Sequence, residues 1–144
     1  MAQLRNLVVL LALLVAPIAY GQALPAPEPT PAEAEATRSE VALKTLKGNP
    51  GTVVVFAKGL CCQSCAVGVR TKVKPLAFVD SSRLTEGVSL DAQHQLATIA
   101  VKRGKAVSPK ALSAAVDSAG YEPVSLYTLK RGKLVRIELT AKRS

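Results

Sequence analysis

All three cysteines of the chain fall within five residues of one another, in Gly59-Leu60-Cys61-Cys62-Gln63-Ser64-Cys65. No other stretch carries side chains suited to soft-metal or thiol redox chemistry. Cys62 and Cys65 are three positions apart. Two thiolates at that spacing can converge on one small soft ion such as Cu(I), or on zinc completed by further ligands. The same pair can also cycle between dithiol and disulfide. Before the cysteines runs Thr52-Val53-Val54-Val55-Phe56-Ala57, rich in β-branched residues and strand-like. After them, Ala66 to Lys74 reads as a helix. The cysteines are therefore expected on a strand-to-helix loop, with Cys65 in or near the first helical turn. Unpaired backbone N–H groups and the positive end of the helix dipole point there, and both favour thiolate over thiol.

The elements that must hold this loop follow from periodicity. In the first strand Val53, Val55 and Ala57 share one face, and Val54 and Phe56 share the other. An apolar pair on that second face implies packing rather than a docking surface. Val69, Val73 and Leu76 recur at core spacing in the helix, which Pro75 ends. The segment from Phe78 to Gly87 has no clear period. Val88-Ser89-Leu90 and Leu96 to Val101 read as two strands joined through Asp91-Ala92-Gln93-His94-Gln95, a hairpin. Ser108-Pro109 is a strong helix start, with Leu112, Ala115, Val116 and Ala119 as its apolar stripe and Gly120 as its stop. Tyr121 to Leu129 returns as a strand, and Leu134 to Thr140 alternates as another after the basic turn Lys130-Arg131-Gly132-Lys133. The order β-α-β-β-α-β predicts an α+β, ferredoxin-like sandwich: an antiparallel sheet with two helices on one face, plus an extra C-terminal strand. That last hairpin would cap the edge of the sheet with Lys and Arg.

Composition sets the surroundings. Residues Leu7 to Ala19 form an apolar run behind Arg5, followed by small residues at signal-peptidase spacing, so 1–23 reads as a signal peptide. The run is short for a membrane span, although an uncleaved anchor is the alternative. The mature chain is then expected to be periplasmic or secreted and not membrane-spanning. Residues 24–50, rich in Pro, Ala and Glu, read as a flexible linker, with a short helical turn at Val41–Leu46 and a boundary at Gly48-Asn49-Pro50-Gly51. The functional domain spans 51–127, and a basic β extension spans 128–144. Three crowded cysteines cannot staple a domain, so in an oxidising compartment they form a site or a local redox pair. The chain carries a formal charge of +9. From Gly51 onward it holds 15 Lys and Arg against 6 Asp and Glu. Such a surface is a solubilising face or an attraction for acidic partners or anionic lipid. With aromatics at only 3%, stacking platforms are scarce and nucleic acid is not an expected partner.

Two segments together resemble the heavy-metal-associated domain family. Gly59-Leu60-Cys61-Cys62-Gln63-Ser64-Cys65 is similar to that family's Gly-Met-x-Cys-x-x-Cys loop, and Ala119-Gly120-Tyr121-Glu122-Pro123 is similar to the Ala-Gly-Tyr segment after its second helix. The resemblance covers Val53 to Val124. With the apolar N-terminal run, it extends to exported mercury- and copper-binding members. It implies that Cys62 and Cys65 bind one soft ion, Cu(I) or Hg(II) above all, with Zn(II) or Cd(II) as other candidates. It also implies transfer by thiolate exchange to a metal-transporting membrane protein or another metal-binding protein, and the basic charge would suit an acidic one. Leu60 stands where the family has Met and would pack under the loop behind Gly59. Tyr121 would face the metal or fill the core. Cys61 departs from the pattern: it is a candidate third ligand, a candidate cross-link between chains, or a small hydrophobe. The C-terminal extension has no counterpart in the family.

The expected function is thus binding and not catalysis. A thiol–disulfide oxidoreductase using the same pair is the enzymatic alternative, and a metal-free adaptor with a basic docking face is a third. Against the oxidoreductase stand the missing Trp beside the motif and an element order unlike thioredoxin. His94 belongs to a hairpin turn and reads as solvated. Asp91 and Glu86 show no catalytic pairing, and no phosphate-binding glycine loop is present.

Overall fold

In the computed structural model, which describes residues 27–140, the chain runs α1 (Pro31–Gly48), β1 (Thr52–Lys58), α2 (Cys65–Val73), β2 (Val88–Asp91), β3 (Leu96–Ala100), α3 (Pro109–Ser118), β4 (Glu122–Lys130) and β5 (Lys133–Glu138). The expected signal peptide lies outside the described residues. The five strands form one antiparallel sheet in the order β2-β3-β1-β4-β5. The architecture is α+β and is compatible with the ferredoxin-like arrangement expected. No helix among the described residues is long and apolar enough to cross a membrane.

The alternation in β1 divides the core in two. Val53, Val55 and Ala57 join Leu60, Val69, Val73, Leu112 and Val116 in the larger cluster, beneath α2 and α3. Val54 and Phe56 point to the opposite face and pack with Ala42 and Leu46 of α1, Leu96 and Tyr127. The sheet is therefore covered on both sides. This corrects the expectation of helices on one face only, and it corrects the reading of 24–50 as a flexible linker from Pro31 to Gly48.

The physical reason is local. Thr30 accepts from the Glu33 N–H, the Glu33 carboxylate accepts from the Thr30 N–H in return, and Pro31 opens the first turn with its fixed φ. The run of Ala, Glu and Lys that follows has high helix propensity. Its docking surface is small, with Ala42 and Leu46 as the buried residues. Polar contacts supplement it. Glu35 accepts a 2.7 Å hydrogen bond from the buried Tyr127 hydroxyl and lies 3.3 Å from Arg136 Nε on β5. Burial, and next the bond to Glu35, push the Tyr127 phenol up to about 12. The Arg38 guanidinium stacks 4.0 Å from the Phe56 ring centre. Because the cap nucleates this helix, Thr30→Ala is expected to cost about 0.5–2 kcal/mol of stability, read from chemical denaturation.

The domain boundary drawn at 127/128 falls within β4, and β5 continues the same sheet by pairing with β4 from Ser125↔Glu138 to Lys130↔Lys133. With β5 in place, β4 is interior. It accommodates Pro123 through a register shift opposite Phe56 and Ala57. The connection from α2 to β2 is a chain of turns tied to the sheet. Val79 bridges Val101, and Arg83 donates to the carbonyls of Pro50 and Gly51.

Strand polarity gives the domain two unlike ends. β1 begins beside Ala100 and near the β4–β5 turn, so Lys102, Arg103, Lys105, Lys130, Arg131 and Lys133 lie toward that end. β1 finishes at the opposite end, where the cysteine loop starts and the β2–β3 turn comes alongside: the Ala57 N–H donates to the Gln95 carbonyl. The start of α1 belongs to this second end, since Pro29, Ala34 and Thr37 line one cleft with Gln93, His94 and Gln95.

Candidate metal centre

The cysteine loop is shaped by what precedes and follows it. β1 ends at Lys58, and Gly59 takes φ +98°, a conformation an L side chain rarely adopts. The Gly59 N–H is held by the Gln95 side-chain carbonyl at 3.3 Å. The next residue, Leu60, is fully buried in the core and acts as the peg under the loop, as expected. Residues 61–64 then turn back to open α2 at Cys65. The N–H groups of Cys65, Ala66 and Val67 are bonded to the carbonyls of Cys62, Gln63 and Ser64. The first turn is thus closed tightly on itself. The N–H groups of the first helical turn are therefore paired, and the backbone N–H groups that reach the Cys65 sulfur are those of Cys61 and Cys62, ahead of the helix.

Ser64 occupies the N-cap position without capping. Its hydroxyl instead lies 2.9 Å from Cys62 Sγ, and Cys62 Sγ lies 2.9 Å from Cys65 Sγ. Cys61 joins them, so that the three sulfurs are all within 4.8 Å of one another. The cluster is solvent-accessible: Cys61 is exposed, and Cys62 and Cys65 are partly so. Such a set of thiols could hold a metal ion.

Tyr121 is delivered to this site by the end of α3. Gly120, at φ +92°, follows the helix, with its N–H on the Asp117 carbonyl and the Tyr121 N–H on the Val116 carbonyl. This is a Schellman closure, and glycine is the residue that supplies its left-handed position. The half-buried Tyr121 ring then lies against Gly59 and Gly68: a Cβ added at either would stand 3.6 Å from Cδ1 or 4.0 Å from Cε2. Tyr121 packs against the larger core cluster beside the cysteine loop, so the core-filling role and proximity to the cysteines are both compatible with its position. Hydrogen bonding to Cys65, then burial, push the Tyr121 phenol up to about 12.

The same contacts act in reverse on Cys65. Hydrogen bonds from Cys62, then Tyr121, and then the backbone of Cys61 lower its thiol to about 6 from an ordinary 9.0. The Cys61 thiol is raised, first by its bond to Cys62 and then by the charge there. Alkylation at Cys65 by iodoacetamide, followed by peptide sequencing, is accordingly expected to rise with pH through a midpoint near 6. Tyr121→Phe removes a donor to the thiolate, so its midpoint is expected to move upward.

Cys61, Cys62, Cys65, Tyr121, Leu60 and Gly59 are therefore brought together as one site. Two participants escaped the sequence reading, Ser64 and Gln95. Ser64 carried a signal in its place at the helix start; Gln95 carried none, because its role depends on a turn 36 residues away. His94 is not part of the site. Its Nδ1 lies 2.6 Å from Asp91 Oδ2, a pairing within the β2–β3 turn. Comparison of the chain with protein-family models, with curated proteins and with solved structures finds no match.

Proposed function

We propose that the chain is an exported soft-metal carrier or scavenger, built on a ferredoxin-like domain of the heavy-metal-associated type. Cys62 and Cys65 are the ligands of Cu(I) or Hg(II). The observation that carries this reading is the convergence of accessible sulfurs on one loop whose backbone is fixed by Gly59, Leu60 and Tyr121. A pre-placed, partly exposed dithiol suits ligand exchange. An ion held by two thiolates at the surface remains open to a third from a partner, so transfer proceeds by ligand exchange. The partner is a metal-transporting membrane protein or another metal-binding protein.

The basic turns stand at the end of the domain away from the cysteines. An acidic partner attracted by them would engage a surface separate from the metal loop.

The test is a Cu(I) titration of the anaerobically reduced chain, residues 24–144, against a competing chelator. One tightly held ion supports the carrier reading, and failure to compete refutes it for Cu(I). The lowered Cys65 thiol beside Cys62 also favours the thiol–disulfide alternative. Catalytic reduction of insulin would establish that second reading, and absence of turnover would remove it.

A further inference from the structure

We propose that Cys61 is a working third ligand, and that the site selects soft ions able to take three thiolates, of which trivalent arsenic is the sharpest case. The inference deepens the metal-binding reading and rests on it. Neighbouring residues in extended chain direct their side chains to opposite sides. Here the turn between Leu60 and Cys65 brings the sulfurs of the adjacent Cys61 and Cys62 into one cluster with Cys65, all within 4.8 Å. Cys61 is not claimed by the core, since it is exposed.

The spacing favours three-coordination. With metal–sulfur bonds of about 2.3 Å, two thiolates on opposite sides of an ion stand about 4.6 Å apart, three in a plane stand about 4.0 Å apart, and three around a pyramidal centre such as trivalent arsenic stand closer still. Cys62 and Cys65 start at 2.9 Å. They need to open less for a three-sulfur site than for a linear one, and Cys61 is already in range to complete it. Leu60 in the core and Gly59 on Gln95 fix the start of the loop that carries all three sulfurs.

With arsenite the chemistry is ligand exchange and needs no oxidant. As(OH)3 and three thiols give As(SR)3 and three waters. Each As–O bond is replaced by an As–S bond, and each thiol proton leaves in water. A dithiol alone leaves one As–OH that exchanges with solvent. Loss of the third arm removes the intramolecular closure and weakens retention by roughly 100-fold.

The experiment uses the reduced chain, residues 24–144, with inorganic arsenite as probe, beside Cys61→Ser and with Hg(II) as the two-thiolate control. Binding is read by native mass spectrometry and coordination by arsenic X-ray absorption. One arsenic with three sulfurs in the wild type, weakened about 100-fold in Cys61→Ser while Hg(II) is still held, is the expected result. Equal arsenite binding by Cys61→Ser, or an arsenic shell of two sulfurs in the wild type, would overturn the proposal and leave the two-cysteine carrier standing. Failure of the wild type to hold either ion would overturn the carrier reading and this one together.

Discussion

Serine at position 62 or at position 65 is expected to abolish tight Cu(I) retention. The hydroxyl of serine stays protonated at neutral pH and is a hard donor, so a soft monovalent ion loses one of its two strong bonds. The loss is larger than one bond taken alone suggests, because the second sulfur in a pre-placed pair binds at high effective concentration. A drop of roughly 100- to 10,000-fold in competition with the chelator is the expected range. The two variants should be nearly equal in metal affinity. They should differ in acid–base behaviour, because Cys65 is the thiol held near 6, with Cys62 as the first contributor. Cys62→Ser is therefore expected to raise the alkylation midpoint at Cys65, in addition to abolishing retention. Circular dichroism should be unchanged in both, since Cys62 and Cys65 are only partly buried, Cys65 at the margin of the core cluster, and serine is close to cysteine in size. A variant that retains the ion within a few-fold of wild type would mean that Cys61 takes the place of the lost ligand, and retention that survives Cys61→Ser in the same variant would place the site elsewhere.

The second large effect concerns α1. If residues 24–50 were a tether, removing Pro31–Gly48 would leave the domain's stability untouched. The structure predicts the reverse. Leu46 and Ala42 are buried against Val54, Phe56, Leu96 and Tyr127, and deletion would expose that whole patch together with the Tyr127 hydroxyl. Re-exposing two or three large apolar side chains corresponds to about 3–9 kcal/mol at about 1.5–3 kcal/mol each. That is comparable to the net stability of a domain of this size. The milder variant Leu46→Ala is expected to cost about 2–4 kcal/mol in urea unfolding, with the fold kept. A loss below about 0.5 kcal/mol would mean that the helix is not docked in solution. The deletion should also aggregate, since a bare antiparallel face bearing Phe56 and Val54 is an association surface.

How much of this was legible in the sequence depended on how local each signal was. β1 announces itself as Thr52 to Ala57, and α3 by Ser108-Pro109 at one end and Gly120 at the other, because the deciding interactions lie within a few residues. The burial of Leu60 and the position of Tyr121 beside the loop were expected from the family resemblance alone, since neither follows from a local pattern. α1 was missed for a compositional reason. Prolines and glutamates upstream drew attention to flexibility, and Thr30-Pro31-x-Glu33, a capping box with proline at the first position, was read as spacer. The apolar pair Val54 and Phe56 reads as packing within the sheet, and α1, which covers it, buries only Ala42 and Leu46, too few to show a stripe. Glu35, Arg136 and Tyr127 meet across about a hundred residues of chain, and no local pattern foretells that. The segment between α2 and β2 lacked a period because it is held by single long-range ties, such as Arg83 to Pro50 and Gly51.

The direction of α1 has a further consequence. The helix begins beside the β2–β3 turn, and that same turn holds Gly59 through Gln95, so the chain reaches the domain at the end where the thiols are. Anything joined ahead of residue 27 is leashed to the cysteine end and not to the lysine-rich end. Ten residues of leash extend at most about 35 Å. A surface, scaffold or second module attached there would meet the bound ion at an effective concentration set by that leash rather than by diffusion through bulk. Delivery over such a distance becomes a first-order hand-off, whose rate does not fall when the protein is dilute. An engineered sensor that fuses a reporter at this terminus would inherit the same proximity.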